Sequence, residues 1–185
     1  WTGSGLPTIE NYLLDSGAGE AHALLVADVG AGDELFLGVT SDEGVPCIVR
    51  RVGSSWEPVG ANAPWGTCSA LAFQDFGDDG ARIGAVSQGA LDVGGVPAQF
   101  AVYDPATDLW SPIFETPGAG LGNPVLAIAP SRAGPRRFIV GGFFAEVFPI
   151  AGAALRCASL MQWSPGEGVR VPPRGGVGGT VTRLV

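Results

Sequence analysis

A chain of 185 residues can bury one sizeable core or a row of small repeating ones. With 30 glycines and 15 prolines it is not a helical bundle, and with 46% hydrophobic residues it is not a disordered chain. Its net charge of −8, with arginine as the only basic residue besides one histidine, opposes the phosphate neutralisation and anionic-lipid docking that basic surfaces provide, so nucleic acid is not an expected partner.

The first residues, "WTGSGLPTIENY", lack the basic start and apolar stretch of a signal peptide, so any targeting segment is expected to have been removed or to lie outside this chain. No apolar run approaches the roughly 18 residues that span a bilayer, and membrane insertion is not expected. "TIENYLLDS" (Thr8–Ser16) alone has helical spacing, and it is short. The lysine-free, Ala-, Gly-, Val- and Arg-rich composition reads as that of a GC-rich, bacterial genome and not as a functional device.

From Ala23 the pattern repeats. Apolar runs open at Ala23, Ala70 and Val125, 47 and 55 residues apart, and "VTRLV" from Val181 opens again 56 residues on. Trp1, Trp56 and Trp110 keep the same beat at 55 and 54 residues, with Val169 in the next equivalent place. Each unit reads as four strands. Strand a covers Ala23–Asp28, Ala70–Gln74 and Val125–Ala129, apolar on both faces as befits burial between neighbouring units. A Gly-, Asp- or Pro-rich turn follows ("VGAGD", "FGDDG", "SRAGP"), with the chemistry that hairpins require. Strand b ends on small residues ("LFLG", "RIGA", "FIVGG"), which permit close backbone approach. A loop of varying length leads to strand c ("CIVRRV", "QFAVY", "SLMQW"), then a turn and strand d at the tryptophan position. The aromatic on c and the tryptophan on d are expected to pack across their own unit and onto the next.

Four strands in about 50 residues predict an all-β fold, a β-propeller of four-stranded antiparallel blades. About three blades lie in this chain, with partial blades at both ends. Residues 1–22 would end a preceding blade and connect it to the next. Residues 23–66, 67–122 and 123–179 would be blades one to three, and 180–185 the first strand of a following blade. Three blades and two fragments do not close a ring. Their open faces are expected to be covered by the remaining blades of a larger propeller or by another chain, leaving residues 1–185 alone poorly soluble or oligomeric.

"FIVGG" and "VYDPATDLW" resemble the double-glycine and aromatic–turn–tryptophan marks of kelch repeats. "SALAFQDFGDDGARIGAVSQGALDVGGVPAQFAVYDPATDLWSPI" is similar to a kelch-like, Rax2-like repeat of long extracellular proteins. The likeness covers most of residues 20–185. The first unit keeps only "EGVP" (Glu43–Pro46) of the "GGVPA" box, and the third has "AGAAL" in its place. The resemblance implies a propeller scaffold, secreted or at the cell surface, and no single activity.

Chemistry-bearing residues are sparse. His22 is the lone histidine, so Ser-His-Asp, Cys-His and multi-histidine metal sites have little to build on, and it reads as structural. Tyr12 and Tyr103 are too few for a copper radical oxidase, and the sialidase and WD40 boxes are absent. Cys47, Cys68 and Cys157 read as small buried residues, with a Cys47–Cys68 disulfide as the alternative in an oxidising compartment. Asp28, Asp33 and Glu34, then Asp75, Asp78 and Asp79, fill two a–b turns as hairpin formers, not a calcium loop. Arg132, Arg136 and Arg137 occupy the third turn, so the face carrying these turns should grade from acidic to basic. "GGVGG" (Gly175–Gly179) lacks the context of a phosphate loop and reads as a d–a connection. No catalytic, cofactor-binding or metal residue is assigned, no cofactor is expected, and no binding residue is fixed. The expected function is a non-enzymatic interaction scaffold contacting a protein partner. A noncatalytic carbohydrate-binding module using exposed Trp65, Phe144 and Phe148, with a glycan as partner, is the alternative.

Overall fold

The structure, a computed structural model, describes residues 20–30, 32–41, 46–115, 124–131, 135–150, 152–172 and 176–184. Trp1, Tyr12, the 8–16 segment, residues 43–45 and Arg132 lie outside them. Among the described residues the fold is all-β and antiparallel, with one 3-10 turn at Gly77–Asp79 and no α-helix. No helix there is long and apolar enough to cross a membrane.

The first sheet is a meander of β1 (Ala21–Asp28), β2 (Asp33–Val39), β3 (Ile48–Val52) and β4 (Ser55–Pro58). A short β5 (Trp65–Gly66) leads to the second sheet: β6 (Ala70–Asp75), β7 (Ala81–Val93), β8 (Val96–Asp104) and β9 (Leu109–Glu115). The third contains β10 (Val125–Pro130), β11 (Phe138–Gly142), β14 (Leu160–Ser164) and β15 (Gly168–Arg170), interrupted by a hairpin of β12 (Glu146–Pro149) and β13 (Leu155–Arg156). The predicted a, b, c and d strands are therefore present in all three repeats. The register also matches: Arg51 opposes Trp56, Tyr103 opposes Trp110, and Trp163 opposes Val169.

The second sheet departs from the four-stranded expectation. Its order is β13-β12-β9-β8-β7-β5, with β6 paired to β7, giving seven strands. The cause is the segment read as a loop between strands b and c. In the second repeat it is a hairpin arm, turning at Gly94–Gly95 with φ of 61° and 88°, and its Asp92 and Leu91 pair with Trp65 and Gly66. In the third it is the β12–β13 hairpin, whose Phe148 and Pro149 pair with Glu115 and Phe114. Each arm thus reaches back to the strand that ends or follows the previous repeat. The expected strand at Val181–Val185 is not formed over its described residues; Val181 donates its N–H to the Gly142 carbonyl at 2.9 Å.

Period-two alternation divides the buried side chains between two cores. Residues directly opposite in a ladder share a face, so on the second sheet Leu71, Phe73, Ile83, Ala101, Tyr103 and Trp110 form one face. All pack into the core shared with the first sheet. The intervening Ala72, Val86, Phe100, Val102 and Phe114 turn the other way, into the core shared with the third. A strand buried on both faces must be apolar at every position, which is why β6–β9 read as near-continuous hydrophobic runs. The first strands of consecutive sheets touch, β1 on β6 and β6 on β10.

Small residues on strand b receive side chains from the following repeat. A Cβ on Gly38 would stand 2.7 Å from Cys68 Sγ, and one on Gly84 would stand 2.5 Å from Ile128 Cδ1. Gly141 is filled the same way by Val181. Aromatic rings then close the second core: Phe138 stacks on Trp163 with centroids 6.1 Å apart, and Phe76 meets Phe138 edge-on at 5.5 Å.

Candidate functional site

The "VYDPATDLW" stretch builds a polar network that runs from the turn after β8 to the first repeat. Asp104 Oδ1 accepts the Ala106 N–H at 2.9 Å and tightens the turn after β8. Asp108, at a φ of 56°, accepts the Tyr103 hydroxyl at 2.7 Å. Burial and that carboxylate both push the Tyr103 phenol above its ordinary range. Trp110 then reaches back to the first repeat. Its indole N–H donates to the Val59 carbonyl at 2.7 Å, while the Asn62 amide bridges the Trp110 N–H and C=O at 2.7 and 2.9 Å. Gly60 lies flat beneath both rings with a φ of 85°, and a Cβ there would stand 3.0 Å from the indole. The direction corrects the sequence reading: the c/d aromatic pair packs onto the preceding repeat, not the next. Every donor and acceptor named is paired within the chain, so the network locks a junction and offers no reactive group.

The other candidates resolve one by one. His22 is exposed and shares a 2.6 Å hydrogen bond with the Thr40 hydroxyl. Asp28 accepts the Gly30 and Gly32 N–H groups at 2.8 and 3.1 Å, and Asp75 accepts Gly77 N–H at 2.7 Å, the turn-forming role expected of both. Glu34 pairs with Arg50 at 3.5 Å, and Asp78 and Asp79 lie in the 3-10 turn. Arg136 reaches Asp75 at 3.6 Å, so the basic third turn stands beside the acidic second one. Arg137 bonds Gln162 and Glu167 at 2.7 and 2.6 Å. Among the described residues no group of three or more His, Cys, Asp and Glu side chains is placed to hold a metal ion.

Cys47, Cys68 and Cys157 are buried free thiols. Cys47 and Cys68 flank one residue: the Val39 N–H donates to Cys47 C=O at 2.9 Å, and the Cys68 N–H donates to Val39 C=O at 3.0 Å. Burial pushes the Cys47 thiol up to about 12 and the Cys157 thiol up to about 11, and raises Cys68 as well. Such thiols are poor nucleophiles.

Of the three aromatics expected at the surface, Phe144 is not there. It is buried against Phe114, with ring centroids 6.4 Å apart, while its neighbour Phe143 is the exposed ring. Phe148 is exposed on β12, and Trp65 is 45% exposed on β5. Trp65 borders a shallow depression of about 300 Å³ with Pro46, Pro58, Asn62 and Gly94. A larger hollow of about 440 Å³ lies between Pro112, Ile113, Pro149, Ile150 and Trp163, with Glu167 at its rim. That carboxylate is held by Arg137 and, at 3.4 Å, by Arg170. Neither hollow brings a nucleophile and a base together. The chain matches no known family model and no curated protein sequence.

Proposed function

We propose that the three repeats are consecutive blades of a kelch-like, Rax2-like β-propeller, and that the chain is a non-enzymatic scaffold for protein–protein contact. The observation that carries the reading is the order of packing. First strands β1, β6 and β10 lie side by side, and the second sheet splits its side chains between a core shared with the first sheet and a core shared with the third. A radial array of blades needs that arrangement, whereas a sandwich would pair strands distant in sequence. The resemblance extends the reading to a secreted or cell-surface protein, with further blades of a larger propeller, or another chain, as the immediate partners.

An experimental density map in which β1, β6 and β10 do not line a common channel would remove the propeller. The scaffold role is tested by activity panels on chromogenic esters, glycosides and alcohols, where no turnover is expected. Turnover lost on His22→Ala would replace it with an enzyme.

Exposed Trp65 beside its depression favours a second reading, a noncatalytic carbohydrate-binding module, since an indole face stacks on sugar rings. The Asn62 amide is already engaged by Trp110, which leaves that depression short of the polar groups a sugar requires. Glycan-array binding that disappears with Trp65→Ala would establish it over the scaffold.

A further inference from the structure

The two junctions between repeats are built alike except at one ring. At the first, Trp110 lies on the Val59–Gly60 stretch of the preceding repeat, and Val59, Tyr103 and Trp110 are 0%, 3% and 2% exposed. At the second, the ladder sets Trp163 at the place of Tyr103 and Val169 at the place of Trp110. Pro112–Ile113 follows its d-strand tryptophan as Pro58–Val59 follows Trp56. A valine is far smaller than an indole. Ile113, Trp163 and Val169 accordingly stay only half-buried, and the hollow of about 440 Å³ lies between them.

The first junction shows what such a place holds: a tryptophan ring beside the c-strand aromatic, with centroids 5.4 Å apart. In the hollow, Trp163 is that aromatic, already backed by Phe138. The polar partner differs. The Val59 carbonyl accepts the Trp110 indole N–H, but its counterpart on Ile113 already accepts the Ile150 N–H at 3.0 Å. Glu167 lines the hollow instead. Arg137 and Arg170 hold its carboxylate at 2.6 and 3.4 Å, and a carboxylate has about four lone-pair sites, so it can accept one more N–H. Apolar walls with one anchored acceptor suit an aromatic ring that carries a donor, and not a sugar, which needs several polar partners. Ile150, 46% exposed, continues the apolar surface beyond the hollow and gives residues flanking such a ring something to cover.

Resting on the scaffold reading, we infer that this hollow is where the protein partner docks, and that it receives a tryptophan side chain presented by a polypeptide segment of that partner. The indole lies against Trp163 and Val169 between Pro112 and Pro149, and its N–H donates to Glu167. Tryptophan is among the residues that most often anchor protein interfaces, because one buried ring supplies much of the binding energy.

The test titrates the chain with N-acetyl-Gly-Trp-Gly-amide and follows nitrogen–proton correlation spectra, with the Gly-Ala-Gly peptide and free indole as comparisons. Shifts are expected at Ile113, Ile150, Gly168, Val169 and the Trp163 indole with the tryptophan peptide, and none with the alanine peptide. Glu167→Ala should weaken binding about 10-fold. Val169→Trp puts the ring of the first junction into the second, so it should abolish binding while melting no lower than the parent chain. A Val169→Trp protein that melts lower overturns the inference, because residues of this chain then already close the hollow. So does a parent chain whose spectrum the tryptophan peptide leaves unchanged. Free indole that binds as tightly as the peptide overturns the protein partner in favour of a small aromatic molecule. The scaffold reading itself falls only by turnover in the activity panels, which the peptide titration does not measure.

Discussion

Trp110 joins two repeats through one side chain. Its ring packs on Tyr103 at 5.4 Å, and its N–H reaches Val59 across 51 positions of sequence. Trp110→Phe keeps most of the apolar contact but orphans a buried carbonyl. A loss of about 1–3 kcal/mol is expected, read from the urea midpoint at unchanged slope. The thiols give a pH prediction. Cys47, Cys68 and Cys157 hold their protons more tightly folded than unfolded, where a thiol titrates near 8.5. The unfolded chain loses protons first, so this contribution to stability is complete below about pH 8.5. It falls as pH rises toward about 12, with Tyr103 acting in the same sense. Melting temperature should decline through that window, and a Cys47→Ser/Cys157→Ser protein should decline less steeply. Ellman's reagent should find almost no reactive thiol in the native chain and all three in guanidinium.

Among the elements, the two hairpin arms set this chain apart from a plain four-stranded repeat. Leu91 and Val93 of the arm in the second repeat pack in the core shared with the first sheet, and Val147 of the arm in the third repeat packs in the core shared with the second sheet. Each arm is a clasp laid backward over a junction. The arm in the second repeat depends on Gly66, whose φ is 109° and whose Cβ would run into the Ala90 carbonyl oxygen. Gly66→Ala therefore meets both left-handed strain and a backbone clash. A cost of about 2 kcal/mol or more is expected, with loss of hydrogen-exchange protection confined first to residues 65–66 and 88–98. Uniform loss across all sheets would show that the arm is not a separable element.

Across the whole molecule, stability is shared between junctions. Among the described residues, each core is lined by two neighbouring sheets. Gly84→Val places methyl groups where Ile128 Cδ1, Phe100 and Phe138 already stand, at 2.5, 3.2 and 3.2 Å from the new Cβ. Overpacking of this kind costs about 1–3 kcal/mol or more. Amide protection should fall together in β7 and β10, on both sides of the wedge, while β3 and β4 hold theirs. Independent loss in the second sheet alone would refute coupling through the junction.

The repeat was legible because it is local. Strand a of the second repeat is apolar on both faces because it lies between two cores, the Gly/Asp turns state their own geometry, and Trp56, Trp110 and Val169 recur at the register the ladders use. These features follow from neighbouring residues and from side-chain period, which a linear sequence carries in full. The arms were not legible: β5 and β13 are two residues long, and β12 exists because Phe114 and Glu115 of the previous repeat offer it an edge. Nor was the direction of the aromatic packing, since alternation tells which residues share a face but not which neighbour that face meets. The same limit misplaced Phe144 at the surface, where its type and spacing gave no sign that its neighbour Phe143 is the exposed ring. Sequence alone thus determined the units and their strands; tertiary structure decided which unit each face and arm would grip, because pairing energy resides in the partner's surface as much as in the strand itself.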